Sequence, residues 1–189
     1  MLSVSLLIDL CIFSGYCLSL NNSINAGLFN IEKSLLQPLS MMFKLNEGSW
    51  SDIFELRNVL EIECARLSAL RATELDCREL LDIIQKMEEE TLNKNKTEVL
   101  VELDKNFHNL LSSISKNYLI ESLFITTSNL FEKFIEDARY KIISYDSAKG
   151  STNLLIQHKN ICEAIIKKDE HMASEAMREH MEYVIKNTL

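Results

Sequence analysis

Asp104 and His108 lie four residues apart in a stretch with helical apolar spacing, so both project from one helix face beside Leu103 and Phe107. His158 sits in a second apolar stripe, with Leu154 one turn before it and Ile161 and Cys162 one turn after. His180 occupies a third, among Ala176, Met177 and Val184. A count joins the last two: Asp169, in a short charged turn, is eleven residues from His158 and eleven from His180. In an antiparallel helical hairpin, equal distances from the turn put both residues at one height, about 16 Å up at a rise of 1.5 Å per residue. Two inward imidazoles at that height can converge. An Asp-x-x-x-His pair on a facing helix would then complete three nitrogens and one or two oxygens around a point. Such a donor set suits a divalent first-row ion, with positions left open for a ligand. Zinc, nickel and manganese are not distinguished by these residues. His171 falls in the first turn of the last helix, far in height from the others, and is left out of the set. The competing reading is an ordinary core histidine at each position, with Asp104 paired to Lys105 or Lys116.

Arg57 lines up with Ile53, Leu60 and Cys64 and is drawn toward the apolar side of its helix. An inward guanidinium is a good carboxylate clamp, because its planar fork donates two parallel hydrogen bonds. The spacing alone favours a plainer role, an i,i+4 pair with Glu61. Asn117 stands at a helix boundary, where its side chain can serve as a cap. No Gly-rich phosphate loop, Ser/His/Asp order or Cys/His nucleophile pair is present. Three histidines and an aspartate with open positions could also activate water, so the alternative function is a metal-dependent enzyme acting on small organic or sugar acids. Against it, no second inward Glu or Asp stands near the motif to act as general base.

These residues need rigid elements, and the composition says which kind. The chain has 189 residues with four Gly and one Pro, and residues 49–149 contain neither. Sandwiches and βαβ arrays need turn-formers every few residues, whereas helices do not. The pattern predicts an all-α antiparallel bundle of about six to seven helices. Ser49 or Ser51 caps the first, which runs to about Leu70 with Ile53, Phe54, Leu60, Ala65 and Leu67 on its apolar side. Thr73 and Asp76 open the second as a capping box with Asp in place of Glu, and it continues through Leu80, Leu81, Ile84 and Met87. Asn93–Lys96 is a polar break. The next helix covers about Thr97–Ser115, with Leu100, Leu103, Phe107, Leu110 and Ile114 at core spacing. Asn117–Asp146 is one long helix or two joined ones, ended by Ser147–Ser151. The last two, about Asn153–Lys167 and Glu170–Asn187, meet at the turn that Asp169 caps.

The division expected is 1–45 as a head and linker and 46–189 as the all-α unit. Leu35–Leu45 reads as a short helix or extended linker broken near Pro38. Met1–Leu20 is apolar, yet it carries Asp9, lacks a positive n-region and shows no small-x-small cleavage site, so neither a signal peptide nor a membrane span is expected. Five cysteines, odd in number and without a CxxC pair, fit a reduced, cytoplasmic setting. The net charge is −8, and residues 1–32 hold no Lys or Arg, which leaves nothing there to attract phosphate.

Three stretches resemble the FCD ligand-binding domain of the FadR subgroup of GntR-type bacterial transcription regulators. Phe54-Glu55-Leu56-Arg57-Asn58-Val59-Leu60-Glu61, with Ala65-Arg66-Leu67-Ser68-Ala69, is similar to the family's opening helix. Asp104-x-x-Phe107-His108, then Ser115-x-Asn117, is similar to its D-x-x-F-H motif and the Asn after it. His158-x-x-Ile161-x-x-Ala164-Ile165, Asp169, Ala173, Met177 and His180 are similar to its closing pattern. The resemblance spans about 49–185. It implies a cytoplasmic, homodimeric regulator whose effector domain holds a metal through Asp104, His108, His158 and His180. A small carboxylate would bind beside the metal, with Arg57 and Asn117 as candidate contacts. The family places a winged helix-turn-helix before this domain. Here Leu2-Ser3-Val4-Ser5 and Gly27-Leu28-Phe29 are similar to its start and to the end of its wing, but the expected arginines are absent. A truncated or degenerate head with doubtful DNA binding is the expectation.

Overall fold

The computed structural model describes residues 38–43, 50–92, 97–148 and 153–188, and all of them but the short turns are helical. A short helix α1 at 38–43 begins at Pro38, a position where the missing N–H breaks no helical bond. Seven longer helices follow: α2 (Trp50–Arg71), α3 (Glu74–Leu92), α4 (Thr97–Ile114), α5 (Tyr118–Leu130), α6 (Glu132–Ala148), α7 (Asn153–Ile166) and α8 (Glu170–Thr188). Most of the head and linker expected at 1–45, with Met1–Leu20, lies outside the described residues. So do Gly48, the Asn93–Lys96 break and Gly150. Among the described residues no helix is long and apolar enough to cross a membrane.

Local chemistry sets the boundaries. Thr73 and Asp76 form the reciprocal cap expected of them: Thr73 N–H donates to Asp76 Oδ2 at 2.7 Å and Asp76 N–H to Thr73 Oγ at 3.2 Å. Asp169 caps α8, its Oδ1 accepting from Met172 N–H at 2.9 Å. The stretch that allowed one helix or two is two, joined at Phe131. That residue leaves helical geometry (φ −115°, ψ 21°), while its N–H still bonds Thr127 O at 3.1 Å. With almost no glycine available, two turns use left-handed lysines, Lys116 at φ 47° and Lys168 at φ 60°. Lys116 Nζ reaches the Arg71 carbonyl at 3.0 Å, Lys168 Nζ reaches the Ala72 carbonyl, and Arg71 Nη1 reaches the Ser115 carbonyl at 2.6 Å. Two chain reversals, α4–α5 and α7–α8, are thus tied to the C-terminal end of α2.

Helix α2 is central, packing on α4, α5, α7 and α8; α7 and α8 form the hairpin, α3 lies against α4 and α7, and α6 against α4 and α8. The core runs through Ala65, Leu80, Phe107, Leu111, Ile161, Ile165 and Met177, all buried. On α4 the buried stripe is rotated from the expected one: Leu111 is inside, Leu100, Leu103 and Leu110 are half-buried, and Asp104 and His108 sit within the stripe. On α3, Leu81 faces outward.

Candidate metal centre

Rotating the α4 stripe turns Asp104 and His108 fully into the bundle, and the α7–α8 hairpin brings His158 and His180 to meet them. Each of the four offers one ligand atom, and these atoms lie within 4.8 Å of one another, all on buried residues. Asp104 Oδ1 is 3.2 Å from His158 Nε2 and 3.8 Å from His108 Nε2. The His158 and His180 rings are 4.7 Å apart and those of His108 and His180 5.2 Å, the equal-height convergence that the count from Asp169 predicts. His171 is exposed and apart from them.

Groups behind the ligands orient them. His180 Nδ1 is 3.1 Å from Gln157 Oε1, so Nδ1 carries the proton and Nε2 is left to accept a cation. His108 Nδ1 contacts Glu61 Oε2, which likewise turns its Nε2 toward Asp104. His158 Nε2 is buried and makes no hydrogen bond. Imidazole nitrogens and a carboxylate oxygen thus face one another at the centre of the bundle. A divalent cation satisfies such a cluster, and carboxylate or amide groups behind the imidazoles are the usual support. The residues present therefore fit a metal.

Burial would raise the Asp104 carboxyl, but His108, His158 and Arg139 outweigh it and hold it well below 3.8. Burial, with His158 and His108 nearby, pushes His180 well below 6.5 and keeps it neutral, the form that ligates a metal.

Two residues of the site were missed in the sequence. Glu61 is 2% exposed and sits between Arg57 and His108, so an inward carboxylate does stand beside the motif, contrary to expectation. It is a poor general base. Oε1 accepts from Arg57 Nε at 2.8 Å and Oε2 contacts His108; these partners overcome burial and depress its pKa far below 4.5. Arg139 on α6 is the other, its Nε donating to Asp104 Oδ2 at 2.6 Å. Lys105 and Lys116, the partners considered for Asp104, pair instead with Glu132 and Asp76.

Arg57 makes the i,i+4 pair with Glu61, but in the interior, 5% exposed. Its guanidinium carbon is 5.9 Å from the centre of the Phe124 ring. It also lines a cavity of about 30 Å³ together with Asp104, His108, Arg139 and His180, closed by apolar residues of α6 such as Ile135 and Ile142. Asn117 is not brought there. Its Oδ1 accepts from Ile120 N–H at 3.3 Å as the N-cap of α5.

Residues 52–183 match the family model described as the FCD domain. The chain is 29% identical over 143 residues to the HTH-type transcriptional repressor RspR of Escherichia coli (strain K12), covering 76% of this chain and 58% of the relative. It is 27% identical over 145 residues to the HTH-type transcriptional regulator LutR of Bacillus subtilis (strain 168), covering 77% and 64%. A solved structure of Streptococcus agalactiae GntR superposes with a TM-score of 0.57 at 27% identity, over 72% of this chain and 57% of that one. The chain therefore spans about three fifths of the length of the relatives it matches.

Proposed function

Since the chain belongs to the FCD domain family, we propose that its helical unit, residues 46–189, is the metal-binding, effector-sensing part of a GntR-type transcription regulator of the FadR subgroup. Asp104, His108, His158 and His180 hold one divalent ion, and a small organic acid completes its coordination with Arg57 beside it. The observation that carries this reading is the convergence of four buried ligand atoms within 4.8 Å, with Asp104, His108 and His180 lining a cavity that Arg57 also lines. The relatives named above are transcription regulators, not enzymes. Among the described residues beside the cluster, the carboxylate placed to act as a base is Glu61, and Arg57 holds its Oε1 while Oε2 lies against His108. A sensing site, which binds and releases without turnover, needs no base.

The test is the order of binding. Metal-free protein titrated with zinc, nickel or manganese should take up about one ion per chain. A small monocarboxylate such as propionate should then raise the melting temperature only of the metal-loaded protein. Stabilisation by the acid without metal, or no metal uptake, would overturn the reading.

Family membership also raises the question of DNA. Contacts to phosphate act through counterion release and give a steep salt dependence. Residues 1–32 carry no Lys or Arg and the chain has a net charge of −8, so this polypeptide is expected to give no salt-sensitive mobility shift with its own promoter. A shift at about 150 mM salt that weakens as salt rises would show that the N-terminal segment is a working head.

A further inference from the structure

The charged residues at the cavity wall and directly behind it come in opposed pairs. Asp104 is matched by Arg139, and Glu61 by Arg57. The imidazoles of His108, His158 and His180 are neutral as metal ligands. Two carboxylates and two guanidinium groups cancel, so a divalent ion held by Asp104 and the three histidines leaves this closed pocket with a surplus of two positive charges. A surplus in a buried site is strongly unfavourable unless anionic partners match it. A monocarboxylate neutralises half of it.

Arg57 and Arg139 both line the cavity, on α2 and α6. Among the described residues, Arg139 bonds Asp104 through its Nε, and the rest of its fork belongs to a side chain that lines the cavity.

We propose that the ligand of this cavity is a small dianion, of the dicarboxylate class, and that Arg139 is its second anchor. This rests on the metal reading given above. One carboxylate takes the open positions at the ion, and the other is received by the guanidinium groups of Arg57 and Arg139. Size requires a movement. At about 10–15 Å³ for each water, a cavity of about 30 Å³ holds roughly two waters and no three-carbon diacid. Helix α6 closes the cavity with Ile135, Ala138, Ile142 and Ile143, and its ion pair to the site is Arg139–Asp104. Transfer of the Arg139 fork from Asp104 to the incoming carboxylate releases that tie as the ligand enters, so α6 can withdraw without leaving either charge unmatched.

Malonate and propionate have the same number of carbons and differ by one negative charge, which makes them the probes. Calorimetric titration of the metal-loaded protein at pH 7.5 should show malonate binding at least about tenfold tighter than propionate, as a second charge-assisted pair implies. Arg139→Gln should bring the two within about threefold while the metal content stays unchanged, and Arg139→Lys should retain part of the preference. Equal binding by the wild-type protein overturns the proposal, and that comparison needs no variant to fold. A preference that survives Arg139→Gln overturns the role of Arg139, and metal appearing in the filtrate with malonate shows chelation in place of binding and overturns it too. Failure of both acids to bind metal-loaded protein, or of metal to bind at all, would instead overturn the effector reading on which this one stands.

Discussion

His158→Ala and His180→Ala should each reduce bound metal from about one ion per chain to background after dialysis, while His171→Ala leaves it unchanged. Structural zinc sites with four protein ligands are worth about 10–16 kcal/mol, so each ligand carries roughly 3 kcal/mol, more than a hundredfold in affinity. His158 and His180 are the cleanest ligands to remove, because each is 2% exposed and neither is paired to an arginine. Asp104→Ala would have the same effect on metal but would also strand the Arg139 guanidinium. His171 is exposed in the first turn of α8 and shares the ligands' chemistry without their place. Elemental analysis of dialysed, folded protein checks the set. Unchanged metal in either His158→Ala or His180→Ala refutes the site.

Glu61→Ala should cost about 3–5 kcal/mol of stability, the range for breaking a buried ion pair by removing one partner. At about 2–4 °C per kcal/mol for a chain of this length, the melting temperature falls by roughly 10 °C. The size of the effect comes from what is left behind. Arg57 is buried without a counter-charge, and His108 loses the carboxylate that fixes its ring. Metal affinity should fall about 10–100-fold as well, the usual effect of removing a group that orients a ligand. A double variant, Arg57→Met with Glu61→Leu, should recover much of the stability, because an apolar pair of similar volume leaves no stranded charge. The pH response has a definite sign. Glu61 and Asp104 have folded pKa values below the ordinary 4.5 and 3.8. Their stabilisation is complete above those ordinary values and is lost as pH falls below them. The gap between wild type and Glu61→Ala in thermal melts should therefore narrow below about pH 4.5. A gap that is small at pH 7, or that widens with acid, would show that the pair does not stabilise the fold.

Much of the site could be read in the sequence because it follows from helix geometry. The i,i+4 spacing of Asp104 and His108 fixes a shared face, and the symmetric count about Asp169 fixes a shared height. Both hold whatever the neighbouring helices do. Glu61 and Arg139 escaped because their roles depend on a partner far along the chain. Arg57 and Glu61 have the same spacing on a solvated helix as in a buried one, and burial is decided by His108, 47 residues further on. A signal existed in both cases. Glu61 falls seven residues after Phe54 and four before Ala65, and Arg139 four after Ile135 and three before Ile142, so each charge is in phase with its apolar stripe. The same phase argument, applied too narrowly to leucines, misplaced the α4 stripe: Leu110 was expected inside where Leu111 is. The Asn117 motif was visible too, but the same side chain serves a helix start, and the structure uses it there.

The lysine ties at the end of α2 decide where this bundle can yield. Lys116 and Lys168 hold left-handed backbone at an expense of about 1 kcal/mol or more each that glycine would avoid. Glycine could not replace them freely, because their side chains are the donors that satisfy the Arg71 and Ala72 carbonyls. Two turns riveted to one helix terminus make that end a fulcrum. The ligand cluster stands about eleven residues up the α7–α8 hairpin from it, roughly 16 Å along the helix axis. Rotation about the fulcrum displaces each level in proportion to its height, so a tilt too small to disturb the turns still separates side chains at the cluster, and separates the far ends of the helices further. The scarcity of glycine thus gives the bundle a lever arm that starts at the end of α2.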